Sequence, residues 1–205
     1  MLALVSPAFL IAALIVVLIP GTGVLYTVAT GMGRGFRASI WAALGCTLGI
    51  LPAITAAALG LSALLHSGAL AYTVLKYAGA AYLAYLAWQT WQDRGPISLS
   101  GDVPTHPWRI ARTGTLINVL NPKLSVFFMA FLPQFLDPSL GGTTAQIGLL
   151  GAVFMGLTFA VFLLYGAAAS AAGKALRQPS VTTWVRRIAA GAFAGLGARL
   201  AVADP

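Results

Sequence analysis

The sequence predicts an all-α integral membrane protein, and three features of its composition and pattern support this prediction. Hydrophobic residues make up 59% of the 205 residues, charged residues make up 8%, and Glu is absent, which is too little charge to cover a soluble domain. The apolar residues fill windows of about 20 residues, the length of a membrane-spanning helix. The alternating polar pattern of a barrel is missing, and open sheet edges are unsatisfied in lipid, so the spans are predicted to be helices.

Six spans are predicted, and they divide into two halves of three. The spans cover residues 7–30, 39–65, 69–91, 114–135, 144–172 and 183–202. The first span is similar to a secretory signal peptide, but it lacks a basic leading segment and its apolar stretch is too long, so we expect it to be retained. The segment QDRGPISLSGDVPTHP, residues 92–107, has the composition of a loop. The sequence thus predicts one membrane domain, 1–205, built from a three-helix repeat (1–92), a linker (93–110) and a second three-helix repeat (111–205).

The distribution of basic residues predicts the orientation of these spans. Most of the twelve Lys and Arg residues belong to the first, third and fifth connections, namely Arg34, Arg37, Arg94, Arg109, Arg112, Lys174, Arg177, Arg186 and Arg187. The positive-inside rule places these connections, including the linker, in the cytoplasm and both termini outside. The net charge of +8 is thus a topology signal, and no nucleic-acid partner is needed to explain it.

The two halves are weakly similar to each other. Because each half holds three spans, an internal repeat must be inverted in the membrane. The segment IPGTGVLY, residues 19–26, aligns with NPKLSVFF, residues 121–128, so that Pro20 falls on Pro122. Farther on, KYAGAAYLA from Lys76 is similar to RIAAGAFAG from Arg187. The matches follow the same order in both halves, which predicts two inverted three-helix repeats with helices 1 and 4 broken at Pro20 and Pro122.

The two prolines are predicted to mark a binding site. Proline removes one backbone donor and its ring clashes with the preceding turn, at a cost of about 3 kcal/mol. Freed backbone groups are tolerated at membrane depth where they line a cavity, and paired broken helices in inverted halves mark the substrate site of transporters. A simple packing kink is the alternative for each proline.

Lys123 follows the second proline in the middle of an apolar segment. A lysine there costs roughly 2.5–3.5 kcal/mol unless it faces water, a partner or the bundle interior; snorkelling is the alternative, although both ends of the span are distant. An ammonium and the free amides of a half-helix that begins at Gly21 both attract a carboxylate, while Asn118 and Asn121 offer groups for an amine. This set suits a small zwitterion such as an amino acid. The predicted substrate-binding residues are Pro20, Gly21, Thr22, Gly23, Asn118, Asn121, Pro122 and Lys123.

All four carboxylates and both histidines lie at or beyond the span ends. They are Asp93, Asp102, Asp137, Asp204, His66 and His106. Lys123 is therefore the candidate for proton exchange inside the spans, and facilitated efflux without protons is equally consistent with the sequence. Because the spans contain no carboxylate, a cationic substrate side chain would be unpaired beside Lys123, which favours neutral amino acids.

Other classes of function fit the sequence less well. A membrane-embedded enzyme needs a nucleophile with a nearby base or a cluster of metal ligands, and a metal exporter needs grouped oxygen ligands. The spans show neither pattern, so no catalytic residue, cofactor or metal is predicted. A nonselective channel for small solutes remains an alternative.

Two patterns of small residues let helix backbones approach each other, namely GCTLG at residues 45–49 and GAFAG at residues 191–195. We interpret them as packing within the chain, with a homodimer as the alternative. Cys46, the single cysteine, is interpreted as a small buried residue.

Several segments of this chain resemble the lysine exporter (LysE/RhtB) family of amino-acid exporters. They are PGTG at residues 20–23, the spaced glycines Gly31, Gly35, Gly45 and Gly49, LKYAGAAYLAYLAW at 75–88, and GTLINVLNPKLSVFFMAFLPQF at 114–135. The resemblance covers nearly the whole chain. It implies a multi-pass carrier of the bacterial inner membrane that exports amino acids or related metabolites, with protons in exchange. The family usually has a second proline where this sequence has Thr22, so the resemblance does not carry a particular substrate.

Overall fold

The computed structural model describes residues 4–66, 69–92, 105–140, 142–172 and 179–202, and these residues are overwhelmingly helical. The α-helices are α1 (Pro7–Leu18), α2 (Thr22–Arg34), α3 (Phe36–Leu48), α4 (Leu51–His66), α5 (Ala69–Gln92), α6 (Pro107–Val119), α7 (Pro122–Val126), α8 (Thr143–Ala172) and α9 (Pro179–Val202). A π-helix (Phe127–Phe131) and a short 3-10 helix (Leu132–Phe135) continue α7, and a second 3-10 turn covers Pro138–Leu140. The predicted all-α class is confirmed.

Several helices have the length and composition of membrane spans. The stretch Phe36–Gly60 and α8 are each long and apolar enough to cross, and two bent helix pairs raise the number to four. Within the described residues α5 and α9, where the third and sixth spans are predicted, do not meet the same criterion, so the count of six stays a prediction. Large apolar side chains also face outward: Leu59 is 71% exposed and Leu164 is 69% exposed, a surface that lipid can cover.

Both bent pairs break next to the prolines at which breaks were predicted, Pro20 and Pro122. The axes of α1 and α2 differ by 56°, and those of α6 and the helical stretch Pro122–Phe135 differ by 51°. The prolines occupy different positions relative to the restart. Pro20 precedes Gly21, the N-cap of α2, whereas Pro122 is the first residue of α7 after the N-cap Asn121. Proline suits that first position because the missing N–H would have no helical partner there.

The second span contains a turn that the sequence analysis did not predict. Residues 49 and 50 separate α3 from α4, and Pro52 follows in the first turn of α4, the part of a helix that tolerates proline. Gly49 lies against α6, where an added Cβ would come within 2.5 Å of the Thr115 carbonyl oxygen. The turn therefore forms where the end of α3 packs closely against α6.

Helix α6 begins earlier than the predicted fourth span. It starts at Pro107, with the side chain of His106 as its N-cap, so it includes residues 107–110, which were assigned to the linker from the sequence. Arg109 and Arg112 lie on the first turns of α6 rather than in a connection. The physical reason is that Pro107 is pre-organised for the first helical position after a capping residue. Residues 93–104 of the linker lie outside the described residues.

Two further basic residues lie on a helix. Arg186 and Arg187, assigned to the fifth connection, belong to α9. Arg187 stacks over the ring of Trp91, with its guanidinium carbon 6.0 Å from the ring centroid, a cation–π contact between α9 and α5. Arg94, Lys174 and Arg177 lie outside the described residues, and the predicted orientation stays a prediction.

The two halves of the chain pack into each other. The first broken helix, α1 with α2, contacts α8, and the second, α6 with α7, contacts α3 and α4; α5 packs along α9. Gly45 lies so close to α6 that an added Cβ would overlap the carbonyl group of Ala111. The pattern at residues 45–49 therefore serves packing within the chain, and Cys46 within it is fully buried, as predicted.

Candidate functional site

The first helix break exposes carbonyl groups that side chains from the second half satisfy. Pro20 has no N–H, so the carbonyl of Val16, four residues earlier, lacks its helical donor. The ammonium of Lys123 donates to the Val16 oxygen at 3.2 Å and to the Ile19 oxygen at 3.2 Å. Lys123 therefore caps the C-terminal end of α1, and its charge lies where the helix dipole favours a cation.

A third carbonyl at the same helix end is bonded from α8. The hydroxyl of Tyr165 donates to the carbonyl oxygen of Leu18 at 2.8 Å. The end of α1 is thus held by side chains from both α7 and α8, and the break depends on long-range contacts. Buried backbone groups need such partners, since an unsatisfied carbonyl costs free energy.

The second helix break satisfies its own backbone. The amide of Asn121 donates to the carbonyl of Asn118 at 3.2 Å, the group that Pro122 deprives of a helical donor. The side chain of Asn121 accepts from the Lys123 amide at 3.1 Å and caps α7. In this conformation the carbonyl of Asn118 is bonded within the turn. The second break therefore contributes side chains to the site.

Asn118 is bonded inside the protein. It is 3% exposed, its amide nitrogen donates to the carbonyl of Cys46 at 2.7 Å, and its oxygen accepts from the amide nitrogen of Asn121 at 3.4 Å. Gly23 leaves room for it, because an added Cβ there would come within 2.8 Å of the Asn118 side-chain oxygen. Both asparagines therefore stabilise the break as well as facing the site.

A cavity of about 20 Å³ lies between the two breaks, room for about one water molecule. Five of the predicted residues line it: Gly21, Gly23, Asn118, Asn121 and Lys123. Pro20, Thr22 and Pro122 do not line it; Thr22 and Pro122 are exposed, and the prolines act through the backbone. Five of the eight predicted residues therefore surround one cavity, and their role in substrate binding stays a prediction.

Helix α8 supplies a wall of the cavity that was not predicted from the sequence. Phe154, Thr158 and Phe162 line it, and their spacing of four residues puts them on one face of the helix. The rings of Phe127 and Phe128, from the π-helix, pack on Phe154 with centroids 4.9 and 5.1 Å away. The one sequence signal was a hydroxyl, Thr158, at this spacing within the apolar stretch of residues 147–164.

The site carries one formal charge among the residues that line it, that of Lys123. Asp137 is the one carboxylate in the described part of the chain, and it is exposed at the surface, where hydrogen bonds from Ser139 lower the pKa of its carboxyl group. The described residues contain no group of three or more His, Cys, Asp or Glu side chains that could hold a metal. The electrostatics of the cavity therefore come from one ammonium and two helix ends.

Comparison with known proteins places this architecture in a family. The family model described as LysE type translocator matches residues 14–204. The chain is 35% identical to an "uncharacterized membrane protein" of Vibrio cholerae over 199 residues, 96% of each chain. It is 30% identical to the homoserine/homoserine lactone efflux protein of Salmonella typhimurium over 197 residues, 96% of this chain and 95% of the relative.

A leucine efflux protein of an Enterobacter species is 26% identical over 163 residues, 75% of this chain and 76% of the relative. No solved structure shows a significant match. The match to the family model covers most of the chain and includes both helix breaks. This chain therefore belongs to the LysE type translocator family of multi-pass bacterial membrane proteins.

Proposed function

We propose that this protein exports amino acids with neutral side chains, or related small metabolites, through the cavity between its two helix breaks. Two relatives are named as efflux proteins, one for homoserine and its lactone and one for leucine. The observation that carries the proposal is Lys123, whose ammonium lies on the cavity wall against the end of α1. Positive and negative partial charges meet there, as a zwitterion requires.

The substrate carboxylate binds Lys123 and the free amides that open α2. Gly21 lies beside the ammonium, because a Cβ added to it would be 3.1 Å from the lysine nitrogen. The first amides of a helix attract anions, and a charged donor strengthens each hydrogen bond. Gly21 and Gly23 let a ligand approach this backbone closely.

The neutral side-chain preference follows from the charges of the cavity. No carboxylate is among the residues that line it. A second cation on the substrate would be desolvated without a partner and repelled by Lys123, a cost of several kcal/mol. Phe154, Phe162 and the valines of α1 provide apolar walls instead.

Transport requires a wider state than the one described, since the cavity holds about one water molecule. The two halves act as inverted repeats that rock against each other and open the site to either side in turn. Helix packing supports this proposal: each broken helix contacts the second span of the other half, and α5 contacts α9.

Proton exchange is the coupling that we propose, with Lys123 as the group that carries the proton. Among the residues that line the cavity, its side chain is the one that titrates. An imposed pH gradient should therefore accelerate efflux by the parent protein and leave Lys123→Met unaffected. Equal efflux with and without the gradient in the parent would favour facilitated efflux.

Besides the lipid bilayer, we propose a second copy of this chain as a partner, so that the protein forms a homodimer. Gly191 and Gly195 lie exposed on α9, and among the residues that the structure describes no atom comes within 4 Å of a Cβ added to either. Small residues at this spacing allow close helix contact in membranes. Gly191→Leu should shift the purified protein toward the monomer in light scattering, and an unchanged mass would contradict this.

The experiment that tests the proposed site replaces Lys123. Lys123→Met keeps the length and apolar bulk but removes the charge, and we expect substrate binding to weaken about ten- to a hundredfold because a charge-assisted hydrogen bond is lost. Lys123→Arg should restore binding in part, since the planar guanidinium group of arginine does not reproduce the compact ammonium group of lysine. Transport in proteoliposomes reports the effect, with thermal unfolding as the control because Lys123 also caps α1. A folded Met variant that transports at the parental rate would remove Lys123 from the site.

A further inference from the structure

We propose that the carbonyl oxygens of Val16 and Ile19 form the binding site for the ammonium group of the substrate, and that the Lys123 side chain fills this site in the empty carrier. The inference rests on the proposed function and adds which helix end binds the substrate amine. Lys123 then has two successive partners. It bonds the carbonyls when no substrate is present and the substrate carboxylate when one is bound.

The geometry of the carbonyl pair is that of an ammonium site. The lysine nitrogen lies 3.2 Å from both oxygens, so one compact cation bridges the last turn of α1. The side chains of Val16 and Ile19 are 2% and 3% exposed, which shields these acceptors from water. An acceptor that is buried and has lost its helical donor must be satisfied by another group, and here that group is a primary ammonium.

Electrostatics favour the same assignment for a substrate. The C-terminal end of α1 carries negative partial charge and stabilises a cation. The other polar side chains at the breaks are already bonded: Asn118 to the Cys46 carbonyl, and Asn121 to Asn118 and to the Lys123 amide. The carbonyl oxygens of Val16 and Ile19 are therefore acceptors that an incoming amine can bind, because it can displace the Lys123 ammonium from them.

The exchange requires a short movement of Lys123. Its nitrogen lies 3.1 Å from the position of a Cβ on Gly21, next to the start of α2, where the carboxylate is proposed to bind. Rotation of the flexible lysine side chain moves the ammonium from the carbonyls toward that carboxylate. The substrate amine replaces it on the carbonyls, so that no buried carbonyl is left without a donor in either state.

The test measures binding of three probes to the purified protein: leucine, isoamylamine (leucine without its carboxylate) and isocaproate (leucine without its amino group). In Lys123→Met the carbonyls are vacant, and we expect isoamylamine to bind at least about tenfold more tightly than to the parent, because no internal cation competes. Isocaproate should bind more weakly. Lys123→Arg, the matched control, keeps a cation on the carbonyls and should show no gain for isoamylamine.

A second variant keeps the test decisive if the Met variant unfolds. Lys123→Gln retains a neutral donor for the carbonyls and should also bind isoamylamine more tightly than the parent, since an amide is displaced more easily than an ammonium. Unchanged or weaker isoamylamine binding in folded Lys123→Met and folded Lys123→Gln would overturn the inference. Failure of the parent to transport leucine or homoserine would overturn the proposed function instead, and that assay does not involve isoamylamine.

Discussion

At the scale of single residues, Gly23 sets the distance between α2 and the rest of the site. A Cβ at this position would lie 2.8 Å from the Asn118 oxygen and 3.1 Å from the ring of Phe162. Asn118 is also the residue that ties α6 to the carbonyl of Cys46. The absence of a side chain at Gly23 therefore permits both the cavity and the hydrogen bond that positions its wall.

The corresponding prediction is that Gly23→Ala destabilises the protein. The methyl group displaces Asn118 or Phe162, and overpacking of this kind costs about 1–3 kcal/mol. Gly33→Ala on the same helix is the matched control, because no atom lies within 4 Å of a Cβ there and alanine favours the helix. Thermal unfolding of both purified variants measures the difference. Equal unfolding temperatures for the two would contradict the packing described at Gly23.

At the scale of helices, the two breaks have the same overall bend but different construction. At the first break, side chains from α7 and α8 satisfy carbonyls at the end of α1, including that of Val16, which Pro20 leaves without its helical donor. At the second, the Asn121 cap and a local turn satisfy the backbone, and Pro122 begins the new helix. Pro20 therefore creates acceptors for a cation, whereas Pro122 mainly stabilises a helix start.

This difference predicts unequal effects of replacing the two prolines. Pro20→Ala supplies an N–H for Val16, favours a continuous helix and competes with Lys123, so we expect a higher unfolding temperature and transport lowered by about tenfold or more through misplaced binding groups. Pro122→Ala should lower the unfolding free energy by only about 0.4–1 kcal/mol and keep most of the transport. Thermal unfolding and proteoliposome transport of both variants provide the comparison. Similar losses of transport in both would contradict the asymmetry.

At the scale of the whole molecule, the orientation in the membrane is predicted from the basic residues and awaits a test. A cysteine at Gly101, in the linker, should react with a membrane-impermeant thiol reagent only after the cells are permeabilised. The parent protein provides the background, since its single cysteine, Cys46, is fully buried. Labelling at residue 101 in intact cells would reverse the predicted orientation.

The sequence was sufficient to predict the helical class, the two bends and five of the residues that line the cavity, because composition and proline act locally. It was not sufficient for the contacts made in three dimensions. The bond from Lys123 to Val16 joins residues 107 positions apart, and it is made by a backbone carbonyl that has no signature of its own. The aromatic wall on α8, with Phe154, depends on helix packing in the same way. The early start of α6 at Pro107 was missed because a proline next to a polar segment is equally typical of a loop.

Counterflow in proteoliposomes tests the central proposal, a carrier for neutral amino acids, most directly. Vesicles loaded with unlabelled homoserine or leucine should transiently accumulate the labelled form of the same amino acid, because a carrier exchanges substrate across one alternating site. Vesicles loaded with unlabelled lysine or arginine should accumulate little of the labelled form of that amino acid, since the cavity offers no partner for the charge of its side chain. Accumulation of lysine or arginine with exclusion of homoserine and leucine would contradict the account, and equilibration of every solute without an overshoot would indicate a nonselective channel.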